Sequence, residues 1–230
     1  MKLSEVLKIA KNECGYLEKA SNKDLDDPKA NPGKGNFTKY ARDLAAAGYY
    51  NGNKNGYDWC DVFVDWVFWQ ACGRDKAAAE EATCQRGAYA LYGAGVKWSK
   101  DGFLSVGRLD QNPKVGDQFF IYNNTTEYWE HTGIVTEVGP DYFRTIEGNT
   151  DNQVMPCYRS LSMATRNYHF GHPYYEVDYV DCSRWAKESC EWAVLESLFI
   201  GDDTGDYQWR EPITREQVAV VLKRFHDKYL

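Results

Sequence analysis

The sequence predicts an α+β fold, and three observations predict it. Helical patterns fill the first hundred residues, short apolar segments separated by turns follow from Pro113, and a second helical pattern starts near Ser183. Helices first and strands afterwards is the order of an antiparallel sheet that carries its helices on one face or at one end. With 230 residues the chain is long enough for two domains. The boundary is placed near Tyr175, giving 1–175 and 176–230, and only the first of these can bury a large core alone.

The elements follow in order. Leu3, Val6, Leu7 and Ala10 have helical spacing, with Ser4 as the expected N-cap. Ser21 to Asn36 is polar and turn-rich, ending in NPGKGN. A short helix over Phe37 to Ala47 stops at Gly48, where glycine accepts the left-handed backbone of a helix end. The Asn/Gly loop YYNGNKNGYD leads into WCDVFVDWVFWQAC, where Phe63, Trp66, Val67 and Gln70 share one face, widened by Val62 and Trp69. DQFFIY, HTGIVTEV and DYFRTIE then read as strands between Gly, Asn, Pro or Asp turns, and the strands end near GHPYY.

Composition excludes several functions. A net charge of −7 provides no basic field for nucleic acid and disfavours adsorption to anionic lipid. No window approaches the roughly 18 apolar residues of a membrane span. MKLSEVLKIAKNECGY has charges where a signal peptide needs an apolar core, so synthesis in the cytoplasm without export is expected. The seven cysteines are then expected as thiols, with Cys182 and Cys190 able to pair under oxidising conditions. None has C-x-x-C spacing, so no zinc site is expected. The 17 Tyr, 10 Phe and 8 Trp suit either core packing or a groove that stacks on sugars.

Cys60 stands where the Asn/Gly loop meets an apolar helix. Unpaired N–H groups and a partial positive charge there favour a thiolate, the nucleophile that attacks an amide carbonyl. On that reading iodoacetamide labels Cys60 before the other six cysteines. His131 opens the strand HTGIV and suits a general base. Glu147 ends the next strand, where antiparallel pairing brings it toward His131 as the orienting carboxylate, and Asn149 adds a second hydrogen bond. Taken singly, each of these residues also reads as structural, E-G-N as a plain turn. Tyr57 and Trp59 beside Cys60, and Trp129 beside His131, are the candidate substrate contacts.

Together, WCDVFVDW, PKVGDQFF, HTGIVTEV and TIEGNT resemble, in order, the CHAP domain, the cysteine, histidine-dependent amidohydrolase/peptidase family. The resemblance covers about residues 3 to 175. It implies a papain-like fold and cleavage of a peptidoglycan amide, either the N-acetylmuramoyl-L-alanine bond or a peptide cross-link. It implies Cys60 as nucleophile, His131 as base, Glu147 as orienting carboxylate and Asn149 as supporting polar group. Many such domains carry a glutamine just before the cysteine as an oxyanion donor, where this chain has Trp59. Some carry a calcium loop; Asn51, Asn53, Asn55, Gly56 and Asp58 match its opening, but mostly as neutral amides with no closing Glu, so no metal or other cofactor is expected to be required.

In the tail, Ser183 is the expected cap of a helix carrying Trp185, Ala186, Cys190, Ala193 and Val194. Thr214 and Gln217 form a T-x-x-Q capping box for a last helix whose apolar face is Val218, Val221, Leu222 and Phe225. The residues from Asp178 to Trp185, WAVLESLFIGDDTG and ITREQVAVVLKR resemble one S-layer homology repeat, with GDDTGD as a turn. That resemblance implies binding to secondary cell-wall polysaccharide, through Arg215 and Trp185, and a small all-helical domain. The apolar stripe of the tail must be covered, either by the catalytic domain or by self-association of residues 177 to 230, which is favoured. The whole chain then resembles a phage or prophage endolysin acting on a Gram-positive wall. The alternatives are a papain-like protease acting on proteins and a catalytically inactive wall-binding protein.

Overall fold

The computed structural model describes residues 1–50, 52–85, 95–162, 166–176, 182–196, 198–201 and 207–230. Asn51 of the Asn/Gly loop, the start of the tail segment at 177–181 and most of the GDDTGD turn lie outside them. Among the described residues no helix is long and apolar enough to cross a membrane.

Among the described residues, five helices precede the sheet: α1 (Leu3–Asn12), α2 (Lys39–Ala46), α3 (Cys60–Ala71), α4 (Lys76–Ala82) and α5 (Val96–Ser105). Six antiparallel strands follow: β1 (Leu109–Asp110), β2 (Gln118–Asn123), β3 (Tyr128–Val138), β4 (Tyr142–Thr150), β5 (Gln153–Ser160) and β6 (Arg166–Gly171), in the order β1-β6-β2-β3-β4-β5. The expected α+β arrangement is present. The cap of α1 is Lys2 and not Ser4. Thr38 caps α2 by accepting from the Ala41 N–H, and Gly48 takes a φ of 61° just beyond it.

The sequence marked a stripe on α3, but the helix is buried on every side from Cys60 to Trp69, including Asp61 and Asp65. A helix apolar around its whole circumference has no solvent face to present, and α3 is packed between α1, α2 and α4 and the strands β3 and β4. Besides the two-residue β1, two strands had no separate place in the sequence reading. One is β5, the last strand of the sheet, whose outer side is bonded by Gly15 and Tyr16 at Val154 and which carries Pro156, paired with Ile146, as an edge strand tolerates. The other is β6, which pairs with β2 from Gln118↔Gly171 to Asn123↔Arg166.

Gly148 explains how closely β4 lies on α3. A Cβ there would sit 2.6 Å from Phe63 Cβ and 2.8 Å from the Trp59 ring. Overpacking at such a contact costs about 1–3 kcal/mol. Gly148→Ala is therefore expected to lower the thermal midpoint by several degrees and to push α3 away from β4. A melting curve equal to that of the wild type would show that the contact yields freely.

Beyond the sheet, Glu176 still bonds the N-terminal segment through its N–H to Met1 O. A 3₁₀ turn (Arg184–Ala186), α6 (Lys187–Leu195) and α7 (Arg215–Tyr229) form the tail. Ser183 precedes the turn without a side-chain cap bond. The capping box at Thr214 and Gln217 is formed. Cys190, Ala193, Val194 and Leu198 are buried. Arg224 and Lys228 of α7 donate to the Leu198 and Glu196 carbonyls, and Lys114 of the sheet domain pairs with Glu196 at 3.3 Å. Among the described residues nothing buries the last helix: α7 has no buried residue, and Leu222 is 62% exposed.

Candidate active site

The site is assembled where the first turn of α3 meets β3 and β4. Cys60 begins α3, and Trp59 before it lacks a side-chain cap. The backbone N–H groups of Asp61 and Thr132 both lie near the Cys60 sulfur and act to lower the thiol pKa. The second of these belongs to the residue after His131, so the thiol sits against the strand that carries the histidine.

A buried polar chain holds this junction. Asp61 accepts from the Gly95 N–H at 2.8 Å, from Ser99 Oγ at 3.0 Å and from Gln118 Nε2 at 3.0 Å. Gln118 also donates to Thr132 Oγ1, whose hydroxyl donates to the Phe119 carbonyl at 2.7 Å. One turn on, Asp65 accepts from the Tyr50 hydroxyl at 2.5 Å and from Gln85 at 2.7 Å. Burial raises the pKa of both carboxyls, and the neighbouring Asp61 adds to the rise at Asp65. Gln118 Oε1 is buried without a partner, but the remaining hydrogen bonds of this network tie the start of α3 to β3.

His131 lies inside β3, which starts three residues earlier at Tyr128. Glu147 lies inside β4, which runs on to Thr150, so E-G-N is strand and not a turn. The pairing of β3 with β4 shifts register, Ile134 facing Ile146, which places Glu147 beside Gly133. A Cβ on Gly133 would meet Glu147 Cγ at 2.7 Å. The bare glycine lets the Glu147 side chain lie across β3 toward His131, two residues away on the same face. There Glu147 Oε2 meets His131 Nε2 at 2.7 Å.

Glu147 is fully buried and saturated with donors. Thr145 Oγ1 donates to Oε1 at 2.5 Å, Thr150 Oγ1 donates to Oε2 at 3.1 Å, and the Arg159 guanidinium spans both oxygens at 2.9 and 2.5 Å. Burial alone would raise its pKa. The hydrogen bonds and charges of His131 and Arg159 outweigh that and hold it at about 2. Both hydrogen bonds of the His131 ring are at Nε2, to Glu147 and to Thr150 at 3.3 Å, which leaves Nδ1 as the nitrogen for proton transfer.

Several expectations are corrected. The Cys60 thiol is not made acidic by the helix start. Burial pushes its pKa to about 12 and the Asp61 carboxylate adds to the rise, outweighing the two N–H groups near the sulfur. Burial argues against Cys60 as the cysteine that iodoacetamide reaches first, whereas Cys14 is exposed. Asn149 does not bond His131. Its side-chain amide donates to Asp58 at 3.3 Å, tying β4 to the loop before α3 from a left-handed backbone at φ 57°. Trp59 is fully buried, its indole N–H held by Glu18 at 2.8 Å, so it neither touches substrate nor supplies an oxyanion donor. Tyr57 is 67% exposed. Trp129 is half-buried against the cluster that contains Cys60, with Tyr122 at 5.1 Å, His169 at 5.2 Å and the Lys100 ammonium over its ring. In the tail, Trp185 is 88% exposed and Arg215, the first residue of α7, is also exposed.

The oxygens of the Asn/Gly loop are engaged in holding it together. Asn53 accepts from the Asn55 N–H and Asn55 accepts from the Thr38 N–H. Among the described residues no group of three or more His, Cys, Asp or Glu is placed to hold a metal ion. Thr145, Thr150 and Arg159 were not singled out from sequence. The two threonines lie within or beside the segment TIEGNT, but nothing in a single sequence links Arg159 on β5 to it.

A family model of the CHAP domain matches residues 52–149, so a CHAP domain is present there. No curated protein matches the chain. A solved structure titled "The crystal structure of Ly7917" is similar at a TM-score of 0.39 and 10% identity, over 75% of this chain, which spans 63% of that structure's length.

Proposed function

We propose, from the CHAP domain at residues 52–149, that this chain cleaves an amide bond in bacterial peptidoglycan through Cys60, His131 and Glu147. The observation that carries the reading is the Cys60 sulfur held against the backbone of Thr132, next to a histidine whose Nε2 is fixed by a buried carboxylate. In this mechanism the resting pair is thiol and imidazole. As Cys60 attacks the carbonyl, its proton passes to Nδ1 of His131 and the carbonyl electrons move to oxygen, which backbone N–H groups at the start of α3 stabilise. His131 gives that proton to the departing amine as the carbon–nitrogen bond breaks, leaving a thioester. Water, deprotonated by the same nitrogen, then releases the acid and restores the thiol. This mechanism calls on no cofactor.

Tyr57 and Trp129 flank this centre and are proposed to contact substrate. Residues 1–175 are the proposed catalytic domain and 176–230 a wall-binding domain of one S-layer homology repeat, with Arg215 and Trp185 meeting wall polysaccharide. The tail assignment rests on its sequence, and the exposed apolar face of α7 supports self-association through it. An endolysin-like enzyme that is made in the cytoplasm and acts at the wall is the setting that fits these parts. The high pKa and burial of Cys60 favour one second reading, a catalytically inactive wall-binding protein.

Incubating the protein with purified Gram-positive walls and identifying the products by mass spectrometry tests both. New amino termini on L-Ala mean amidase, and new amino groups on cross-link residues mean endopeptidase. A chain ending at Tyr175 is expected to release the same products more slowly from whole walls. Binding to walls with no released product would leave the inactive reading standing, and cleavage of casein alone would make the chain a protease.

A further inference from the structure

Arg159 is a cation at the back of the candidate site that the proposed mechanism does not use. It stands on β5, opposite Phe143. Its Nε donates to Glu147 Oε1 at 2.9 Å and its Nη2 donates to Oε2 at 2.5 Å, a two-point fork that matches the carboxylate plane. The guanidinium lies over the Phe119 ring at 5.9 Å, and that ring meets His131 edge-on at 6.1 Å. One oxygen, Oε2, is shared between Arg159 and His131.

We infer that Arg159 is a positioning residue for the proposed reaction: it fixes the plane of the Glu147 carboxylate and balances its charge, so that Glu147 orients His131 without holding it as a cation. The physical reason lies in the count of charges. A buried carboxylate with His131 as its only charged neighbour would be neutralised best by a protonated imidazole, and a protonated imidazole cannot take the proton of Cys60. With Arg159 in place the carboxylate already has its counter-ion. Nε2–H still has an acceptor, which fixes the tautomer and keeps the lone pair on Nδ1. Thr145 and Thr150 hold the same two oxygens and carry no charge, so they orient Glu147 but cannot balance it.

The inference rests on the proposed function, and its test separates the two. The pH dependence of kcat/KM on soluble peptidoglycan fragments is measured for the full chain and for Arg159→Gln and Arg159→Lys. The ¹⁵N spectrum of the histidine rings is recorded for the same proteins, and His131→Gln assigns the signal. Arg159→Gln is expected to move the acid limb of the profile up by about one pH unit or more. Arg159→Lys, which keeps the charge and loses the fork, is expected to leave the limb in place and lower kcat about tenfold with KM nearly unchanged. The His131 signal of the wild type is expected to show hydrogen on Nε2, and in Arg159→Gln that pattern is lost at neutral pH. A folded Arg159→Gln with the limb and ring signal of the wild type overturns the inference, and a purely structural residue would give that result together with a lower melting point. If Arg159→Gln does not fold, Arg159→Lys decides, and an unchanged kcat sinks the proposal. If the wild type releases nothing from walls, the proposed function fails, and the ring spectrum still decides the part played by Arg159.

Discussion

Cys60→Ala is expected to abolish release of peptidoglycan fragments, a loss of at least about a thousandfold, while the melting curve stays within a few degrees of the wild type. The sulfur is the only atom removed, and its surroundings are backbone N–H groups and the cluster of Cys84, Val96, Phe103 and Phe120. The hole left is small, so the fold has little reason to change. The proposed thioester needs that sulfur, so the variant lacks the nucleophile. With the thiol pKa raised to about 12, alkylation of Cys60 should be slow near neutral pH and should accelerate as pH rises, behind Cys14 throughout. Walls solubilised by the alanine variant would remove Cys60 from the mechanism. Rapid neutral alkylation of Cys60 ahead of Cys14 would mean that an ion pair forms at rest.

The order of helices and strands was legible because period 3.6 and period 2 are written in local apolar spacing. Cys60, His131 and Glu147 were grouped from the sequence, and the structure brings the last two into contact at 2.7 Å. Burial was not legible. The position of Cys60 at a helix start argues for an acidic thiol, but burial and the carboxylate of Asp61 act in the opposite sense and win. Trp59 reads as a substrate contact beside a nucleophile until its indole is found on Glu18, 41 residues away in sequence. Arg159 was hidden for the same reason. Its partner is brought to it by antiparallel pairing across an edge strand that a proline and several polar residues disguise. Asn149 had the right residue type and the right neighbourhood but points to Asp58, because the left-handed turn of its backbone carries the amide away from the ring.

Glu147→Gln is expected to lower kcat by about 10² to 10³, less than the loss of Cys60, and to destabilise the protein by about 3 kcal/mol at neutral pH. The activity loss follows because a neutral amide can still accept from Nε2–H but no longer favours the imidazolium that forms when the thiol proton is taken. The stability loss follows from Arg159, which keeps its charge in a largely buried place and must share one amide where it had two carboxylate oxygens. The sign with pH is fixed by the direction of the shift. The folded-state pKa of Glu147 lies at about 2, below its ordinary 4.5. A depressed carboxyl contributes stability that is complete above about pH 4.5 and is lost as pH falls toward 2, where the folded form also takes up its proton. The gap in stability between wild type and Glu147→Gln should therefore be widest near neutral pH and close between about pH 4.5 and 2. Urea unfolding of both proteins at pH 7, 4, 3 and 2.5 measures it. A gap that stays constant down to the lowest pH would show that the paired charge is not what Glu147 supplies. Unchanged turnover with a lower midpoint would assign Glu147 to the fold and not to the reaction.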